Sequence, residues 1–397
     1  MIRGQDIICF ANDWDSDPLS KKHIMLRLAE HNRILWVNSI GNRNPTVSVR
    51  DFRRVIKKLA DFLRGGIQLT ENIYVCSPLA IPFHGIAVAQ WFNRFWLAFQ
   101  LRLVCRQIGF HAPITWTFVP SSADVVGHLG EKQIIYQCVD EYSEFSGTDK
   151  VAILDMERRL IKKANLVIVS SARLQQAKTN GHGSPYLVTH GVDVAHFRQA
   201  CDPETAIPPD IAAIPGPVIG FFGLIEDWVD LRLIRFLAQA RPGWSFVLIG
   251  KLAIDDSPVR DLPNVHLLGH RNYRLLPSYC KAFDVALLPF VINELTLAAN
   301  PLKLREYLAA GVPVVASAIP EAERLDGLLR IAKTYEEHLQ HIDNFLASGV
   351  TADQRRRISR SMETESWDSK VEDLSHLVEN LGYMPHVQTE SFKPALV

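Results

Sequence analysis

The feature that most constrains the fold is an alternation of short β-branched runs with helical stretches, which continues along almost the whole chain. Strands are predicted at residues 6–11 and 33–39, with a helix at 19–31 between them. Strand–helix–strand units of this kind form parallel sheets that are covered by helices on both faces. The chain is therefore predicted to be an α/β protein.

The alternation is interrupted once, by a proline-rich stretch at residues 201–216 that has few periodic apolar positions and is typical of a linker. We therefore predict a first doubly wound domain at 1–200 and a second at 217–365, with a final helix and tail at 366–397. Ligands of such sheets bind at the carboxyl ends of the strands. With two tandem Rossmann-like domains, the cleft between them is the expected active site.

Composition narrows the function. In 397 residues, 47% are hydrophobic and 22% are charged, which excludes disorder, collagen and coiled coil. Lys and Arg number 43, as do Asp and Glu, so a protein that coats nucleic acid is not expected. Residues 1–190 carry 23 basic and 16 acidic side chains, which leaves the second half acidic. Opposite charges suggest that the two domains have different partners.

Targeting signals are not found in the sequence. The six cysteines show no paired spacing, so we expect reduced thiols. The first residues contain no signal-peptide core, and no run of 18 uncharged apolar residues occurs. A cytoplasmic location is expected.

The most distinctive string is NPLKLREYLAAGVPVV at residues 300–315. Pro301 can take the first helical position, with Asn300 as the N-cap. The free N–H groups of that turn and the nearby Lys303 can hold a diphosphate. Glu306 lies about one turn further on, where its carboxylate can accept both hydroxyls of a ribose. The alternative is an ordinary helix–strand unit with a solvated lysine and glutamate.

Charged side chains also follow two predicted strands. Lys251 comes directly after an apolar run, at the edge of the sheet where ligands bind, although a lone lysine there is often solvated. Asp140 and Glu141 follow the strand predicted at 133–138. Carboxylates at a strand end can serve acid–base chemistry, or they can cap the next helix.

A basic amphipathic helix is predicted at residues 51–65. The basic face carries Arg53, Arg54, Lys57, Lys58 and Arg64. This pattern suits an anionic membrane surface, and the alternative is a core helix with a solvated basic edge.

Several pieces of the chain together resemble a known family. They are HGVDVAHF (190–197), GFFGLIEDWVDL (220–231), FVLIGK (246–251), NVHLLGH (264–270), DVALLPF (284–290) and the string at 300–315. Residues 188–316 resemble the carboxyl-terminal half of two-Rossmann (GT-B) glycosyltransferases, especially family-4-type enzymes of bacterial polysaccharide assembly. The pieces ANDWDSDPLSKKH (11–23) and YQCVDEY (136–142) are similar to a teichuronic-acid and exopolysaccharide subgroup.

The resemblance implies a donor site in the second domain and a final helix that packs back on the first. The residues implied to bind a nucleotide-sugar donor are Gly223, Lys251, Asn300, Leu302, Lys303 and Glu306. One position departs from the family pattern, because Ala298 stands where the first glutamate of an E-x7-E pair is usual. Glu294 lies nearby.

The first domain is expected to bind the acceptor, through Asp15, His23 and Glu141. If transfer inverts the sugar, a first-domain carboxylate must take the acceptor's proton. Asp140 is the first candidate for that base and Asp13 the second. If transfer retains configuration, Asp140 would only orient the acceptor.

Neither a metal nor another cofactor is expected. Asp13-Trp14-Asp15 spells the metal-binding Asp-x-Asp of another glycosyltransferase architecture, but that architecture has one domain with the motif in mid-chain. Acceptor hydrogen bonding is the preferred interpretation. The loop after the first strand also lacks G-x-G-x-x-G, which argues against an NAD enzyme.

The sequence thus predicts a hexosyltransferase that moves a sugar from a nucleotide donor to a lipid-linked or saccharide acceptor in bacterial surface or exopolysaccharide synthesis. It would work at the inner face of the plasma membrane and bind no nucleic acid. Two alternatives share the architecture: a nucleotide-sugar 2-epimerase and a non-catalytic partner subunit. The missing glutamate at position 298 keeps the last one open.

Overall fold

The computed structural model describes residues 1–39, 67–79, 87–179 and 183–381, and for residues 87–94 the backbone alone. The basic helix predicted at 51–65 lies outside these residues. Within them, no helix is both long enough and apolar enough to cross a lipid bilayer. The six cysteines are all free thiols, and five of them are buried.

The first domain is built on an eight-stranded sheet. Its strands are β1 (Asp6–Phe10), β2 (Arg33–Val37), β3 (Ile67–Gln68), β4 (Ile73–Cys76), β5 (Ile114–Thr117), β6 (Gln133–Cys138), β7 (Leu166–Val169) and β8 (Tyr186–Leu187). They lie in the order β3-β4-β2-β1-β5-β6-β7-β8, and all neighbours are parallel except β3 and β4. The central strands are buried on both faces, which is why they read as continuous apolar runs.

Helices cover both faces of this sheet. They are α1 (Ser20–Leu28), α2 (Ala87–Gln107), α3 (Lys150–Lys163) and α4 (Ala172–Lys178), with 3₁₀ turns at Pro120–Asp124 and Tyr142–Glu144. Side-chain caps begin two of the helices: Asp149 accepts from the N–H of Ala152, and Ser171 from that of Leu174. Such caps satisfy N–H groups that have no partner inside the helix.

The second domain has a six-stranded parallel sheet. Its strands are β9 (Val218–Phe222), β10 (Ser245–Ile249), β11 (Val265–Gly269), β12 (Val285–Leu288), β13 (Val314–Ser317) and β14 (Arg330–Ala332). They lie in the order β11-β10-β9-β12-β13-β14. Both β9 and β10 turn into glycine-containing loops, which end at the same edge of the sheet because the strands are parallel.

The helices of this domain and the segment after it complete the chain. They are α5 (Val194–Arg198), α6 (Pro209–Ala212), α7 (Leu231–Ala240), α8 (Leu276–Lys281), α9 (Glu294–Ala298), α10 (Leu302–Ala309), α11 (Pro320–Glu323), α12 (Tyr335–Ser348), α13 (Ala352–Arg360) and α14 (Trp367–Asn380). Three 3₁₀ turns lie at Gln199–Cys201, Tyr273–Leu275 and Glu363–Glu365. Two doubly wound sheets in tandem agree with the α/β class predicted from the sequence.

The proline-rich stretch is part of the second domain and does not link two bodies. Val192, Phe197 and Ile211 are buried in the second core. The Lys281 ammonium donates to the carbonyls of three residues at the start of the stretch, Asp202, Pro203 and Thr205. The second domain therefore begins near Val192, earlier than the boundary predicted from the prolines.

The final helix, α14, returns to the first domain. Trp367, Val371 and Leu374 are buried in the first core, and Asp368 pairs with Arg27 of α1 at 2.7 Å. The chain thus passes between the domains twice, and the two passages lie side by side. The N–H of Val192 donates to Glu365 O at 2.9 Å, and that of Trp367 donates to Val192 O at 3.2 Å.

Candidate active site

A cavity of about 590 Å³ lies between the domains, at the carboxyl ends of the strands of both sheets. Its first-domain wall contains the start of α1 and the loop after β6, which carries Asp140. Its second-domain wall contains the loops after β9 and β10 and the start of α10. All these segments follow strands, which is the position where open α/β sheets bind ligands.

Glycine is required where the β9 and β10 loops meet. Gly223 has φ +131°, and a Cβ there would collide with the side chain of Lys303. Gly250 has φ +153°, and a Cβ there would collide with the Gly223 carbonyl. These conformations and close approaches exclude larger residues. The two glycines thus allow the side chain of Lys303 to pack directly against the loop after β9.

The start of α10 differs from the prediction in one detail. Pro301, not Asn300, occupies the N-cap position, and no side chain caps the helix. The Asn300 amide instead donates to Ser170 O of the first domain at 2.6 Å and accepts from Arg305 at 2.7 Å. Asn300 is therefore a contact between the domains, and the first N–H groups of α10 stay uncapped at the cavity wall.

Lys303 and Glu306 bring opposite charges to this wall. Burial raises the pKa of Glu306 to about 7, and the Lys303 ammonium acts in the opposite direction. Burial also lowers the pKa of Lys303. Its ammonium lies 5.7 Å from the centre of the Phe221 ring, and no carboxylate in the described ranges approaches it within 4.0 Å. It is thus a half-buried cation with no ion pair among the described residues, and a bound anion would stabilise it.

The six residues that the sequence assigned to donor binding all line this cavity. Leu302 follows Pro301 in the uncapped turn. Lys251 differs from Lys303 in being exposed, and it lies at the end of β10 after Gly250. Its carbonyl accepts from the Ile225 N–H at 3.0 Å, which ties the β9 and β10 loops together.

Asp140 lies on the first-domain wall, between cations of both domains. Burial raises the pKa of this carboxyl to about 6, against the opposing charges of Lys21 and Lys303. No ion pair holds it within 4.0 Å in the part of the chain that the structure describes. A carboxylate with such a pKa is suited to accept a proton near neutral pH.

Glu141 points away from the cavity. Its carboxylate pairs with the buried Lys178 at 2.7 Å, and Lys178 also pairs with Glu157 at 2.8 Å. The Tyr136 hydroxyl donates to Glu157 at 2.6 Å. Successive residues after a strand face opposite sides, so only one of the two carboxylates can face the cleft. Glu141 therefore anchors the β6 loop, and the acceptor role predicted for it is not supported by its position.

The other first-domain candidates also lie outside the cavity. The Asp13 carboxylate accepts from the N–H and hydroxyl of Ser39, at 3.1 and 2.9 Å. Asp15 is exposed on the same loop. His23 is buried, and its ring stacks on Trp367 with the centroids 5.4 Å apart. Burial lowers the pKa of His23 to about 4, so the ring is neutral.

The position of the missing glutamate lies at the contact between the domains. Ala298 is buried, and its carbonyl accepts from the Ser171 hydroxyl at 2.6 Å. Glu294 pairs with Arg173 at 3.0 Å. Neither residue lines the cavity, so Glu294 does not replace the glutamate that the family pattern places eight residues before Glu306.

Sequence reasoning gave no role to His190, which lines the cavity. Its Nδ1 lies 2.9 Å from Asn300 O, and because a carbonyl only accepts, Nδ1 carries the proton. Burial lowers the pKa of His190 to about 3, so the ring is neutral. Its Nε2 is then an acceptor, and it has no hydrogen-bond partner among the described residues. The signal for it was its place in the HGVD motif at a strand end.

No cluster of three or more His, Cys, Asp or Glu side chains within the described ranges is arranged to hold a metal ion. The Asp13–Asp15 motif lies outside the cavity. The expectation that the reaction needs no metal stays a prediction.

Similarity to solved structures extends over nearly the whole chain. Sucrose-phosphate synthase from Thermosynechococcus elongatus superposes with a TM-score of 0.70 at 15% identity, covering 96% of this chain and 99% of that one. Anabaena Alr3699/HepE, solved in complex with UDP and glucose, gives 0.65 at 15% identity, covering 95% and 100%. The chain has the GT-B fold. Its fold class, predicted from the sequence as GT-B, is confirmed.

Sequence comparison also finds relatives, and the family match falls on the second domain. Residues 216–348 match the family model "Glycosyl transferases group 1". The putative teichuronic acid biosynthesis glycosyltransferase TuaH of Bacillus subtilis (strain 168) is 29% identical over 213 residues, which are 49% of this chain and 52% of that protein. The match thus spans about half the length of this curated relative. All of the predicted donor residues lie within the range of the family model.

Proposed function

We propose that this GT-B protein is a glycosyltransferase that moves a sugar from a nucleotide-sugar donor to an acceptor in the synthesis of a bacterial surface polysaccharide. The observation that carries the proposal is the convergence of six donor-type residues on one cavity of the group 1 domain. The complex of HepE with UDP and glucose supports a nucleotide-sugar donor, and the TuaH relative supports the polysaccharide role.

The second-domain wall has the groups that a nucleotide diphosphate needs. The uncapped N–H groups of α10 and the ammonium of Lys303 suit the diphosphate, with Lys251 at the mouth of the cavity. Glu306, three residues after Lys303, is placed to accept hydroxyls of the ribose. As the bond from the anomeric carbon to the diphosphate breaks, negative charge grows on the leaving oxygen, and fixed cations stabilise it.

The acceptor would approach from the first domain. Its hydroxyl oxygen forms the new bond to the anomeric carbon, and its proton must leave. Asp140 is the carboxylate of the first-domain wall on which Lys21 and Lys303 act, so it is the proposed base if transfer inverts the sugar. If transfer retains configuration, the same carboxylate orients the acceptor hydroxyl.

A panel of nucleotide sugars tests the reaction class. Hydrolysis or transfer of the sugar supports the proposal, and formation of an epimer would identify a 2-epimerase instead. Absence of any reaction, together with absence of nucleotide binding, would favour a non-catalytic subunit.

Nucleotide binding should depend on Glu306. We expect UDP to raise the melting temperature of the wild-type protein, as any ligand of the native state does. Glu306→Gln keeps the shape of the side chain but removes its charge. The substitution should weaken UDP binding about 10- to 100-fold, because hydrogen bonds to charged groups are worth about 1.5–3 kcal/mol. Isothermal titration calorimetry measures the affinity. Glu336→Gln, on the exposed start of α12, is the matched control. An unaltered affinity in Glu306→Gln would place the ribose elsewhere.

We also propose that the first domain contacts an anionic membrane. Helix α2 contains no Asp or Glu, and its arginines include the exposed Arg102 and Arg106. Phe99 and Leu103, one turn apart, are 58% and 45% exposed. Exposed apolar side chains beside cationic ones are typical of surfaces that lie on charged bilayers. The basic cluster at 53–58, outside the described residues, would add about 1 kcal/mol per cation at such a surface.

Vesicle binding tests this surface. The double variant Phe99→Ser with Leu103→Ser should sediment with anionic vesicles at least about tenfold more weakly, because burying each apolar side chain contributes roughly 1.5–3 kcal/mol. Neutral vesicles and high salt should weaken wild-type binding. Val151→Ser, which alters an exposed residue of α3, is the control. Equal sedimentation of the double variant and wild type would show that α2 does not contact the membrane.

A further inference from the structure

Lys21 is a buried cation of the cavity, and neither the fold nor the proposed donor site uses it. It lies in the first turn of α1, on the first-domain wall, and only 7% of its surface is exposed. Burial lowers the pKa of this ammonium, which shows how poorly the surroundings solvate its charge. The sequence alone gave no reason to single this residue out.

Among the described residues, the ammonium of Lys21 has no ion pair within 4.0 Å. It lies 5.7 Å from the centre of the Tyr142 ring. The negative charge of Asp140 raises its pKa, although the two groups are more than 4.0 Å apart. The thiols of Cys9 and Cys138 are its other titratable neighbours. Throughout the described ranges, no side chain or carbonyl accepts a hydrogen bond from it. An unpaired buried ammonium destabilises a protein, so a bound anion would relieve that cost.

The turn around Lys21 supplies further donors. Helix α1 begins without a side-chain cap and has no acidic residue in its first turn. Ser20 lines the cavity, and within the described part of the chain the N–H groups of Ser20 and Lys21 have no acceptor. Uncapped N–H groups at a helix start favour negative charge. The uncapped helix start, Ser20 and Lys21 thus lie together on the first-domain wall.

We propose that Lys21 and the first turn of α1 bind a phosphate or carboxylate group of a substrate. The inference rests on the proposed glycosyltransferase function, in which the donor diphosphate occupies Lys303 on the opposite wall. That proposal places the donor diphosphate on α10 and Lys251 of the second-domain wall, so we assign a separate anion to Lys21. The group bound at Lys21 therefore belongs either to the acceptor or to the transferred sugar, which would then be an acidic sugar.

Inorganic phosphate is the first probe, titrated into the full chain with saturating UDP present so that the donor wall is filled. Wild type should bind phosphate under these conditions. Lys21→Met should weaken phosphate binding about 10- to 100-fold, because this is the contribution expected of a hydrogen bond to a charged group. Lys22→Met is the matched control, because Lys22 donates to Trp14 O and does not line the cavity. Equal phosphate affinity in wild type and Lys21→Met would overturn the proposal.

A second measurement excludes a merely structural lysine. Without ligand, Lys21→Met should melt at the same temperature as wild type or higher, because it removes an unpaired buried charge. Lys21→Arg should restore part of the phosphate binding. A melting temperature that falls in Lys21→Met and recovers in Lys21→Arg, with no phosphate bound by any form, would make Lys21 a structural cation and overturn the site.

Nucleotide sugars distinguish the two sources of the anion. If the transferred sugar carries it, UDP-glucuronate should bind more tightly than UDP-glucose, and Lys21→Met should abolish the difference. If the acceptor carries it, the two nucleotides should bind equally and phosphate should bind together with UDP-glucose. The affinity for UDP is measured in a separate titration. If the protein does not bind UDP, phosphate is titrated into it alone. Loss of UDP binding with intact Lys21-dependent phosphate binding would therefore refute the donor site and leave the anion site standing.

Discussion

Replacing Asp140 with Asn is expected to lower turnover by about 10²–10⁴-fold while UDP affinity stays unchanged, if the enzyme inverts the sugar. The substitution keeps the size of the side chain and removes its basicity. The wild-type carboxyl has a pKa of about 6, so it becomes a base as the pH rises through that value. We therefore expect kcat/KM of wild type to rise across pH 6, and the same limb to be missing from Asp140→Asn.

The anomeric configuration of the product, read by nuclear magnetic resonance, decides how that result is interpreted. Under retention, Asp140→Asn should raise KM for the acceptor more than it lowers kcat. Asp13→Asn is the comparison, because Asp13 lies outside the cavity on Ser39 and should leave turnover unaltered. Full activity of Asp140→Asn with an inverted product, or a loss in Asp13→Asn, would transfer the role of base to another carboxylate.

Lys303→Met should reduce turnover by about 10²-fold or more, because it removes a fixed charge that stabilises the leaving diphosphate. The sequence assigned Lys251 to the same donor site. The structure separates the two: Lys303 lies against Phe221 inside the cavity, whereas Lys251 is exposed. Solvent screens an exposed charge, so Lys251→Met should lower turnover less than Lys303→Met does.

Steady-state kinetics with a saturating donor measure this difference, and the melting temperature of each variant reports on folding. Lys303→Met should be no less stable than wild type, because its ammonium has no counter-ion in the described residues. Near-normal turnover in Lys303→Met would place the leaving group elsewhere in the cleft. A larger loss in Lys251→Met than in Lys303→Met would show that the cavity closes over Lys251 during turnover.

The donor wall could be predicted because its signals are local. Lys303 and Glu306 lie on one helix within a single string, and Lys251 follows a strand whose end is fixed by the parallel sheet. The opposite orientations of Asp140 and Glu141 also follow from local geometry, since successive residues of an extended chain alternate. These residues needed no knowledge of distant contacts.

The first-domain wall depends on contacts that no local pattern contains. His23 is removed from the cleft by Trp367, which lies at the far end of the chain. Asn300 loses its capping role because its amide oxygen accepts from Arg305, while its amide nitrogen donates to Ser170 O of the other domain. Lys21 follows a helix start with no cap, and only the tertiary fold shows that its ammonium is buried without a partner.

The paired passages at Val192 and Trp367 determine how the two domains can move. Both connections run through one hydrogen-bonded ribbon, which is where a hinge between the domains would lie. Gly191 packs so closely on Trp367 that a side chain there would stiffen or displace this hinge. Opening would break exposed polar contacts such as His270 with Asp17, and also the buried hydrogen bonds of Asn300 with Ser170 O and of Ser171 with Ala298 O. A substrate with groups for both walls would add to the contacts that hold the cleft closed.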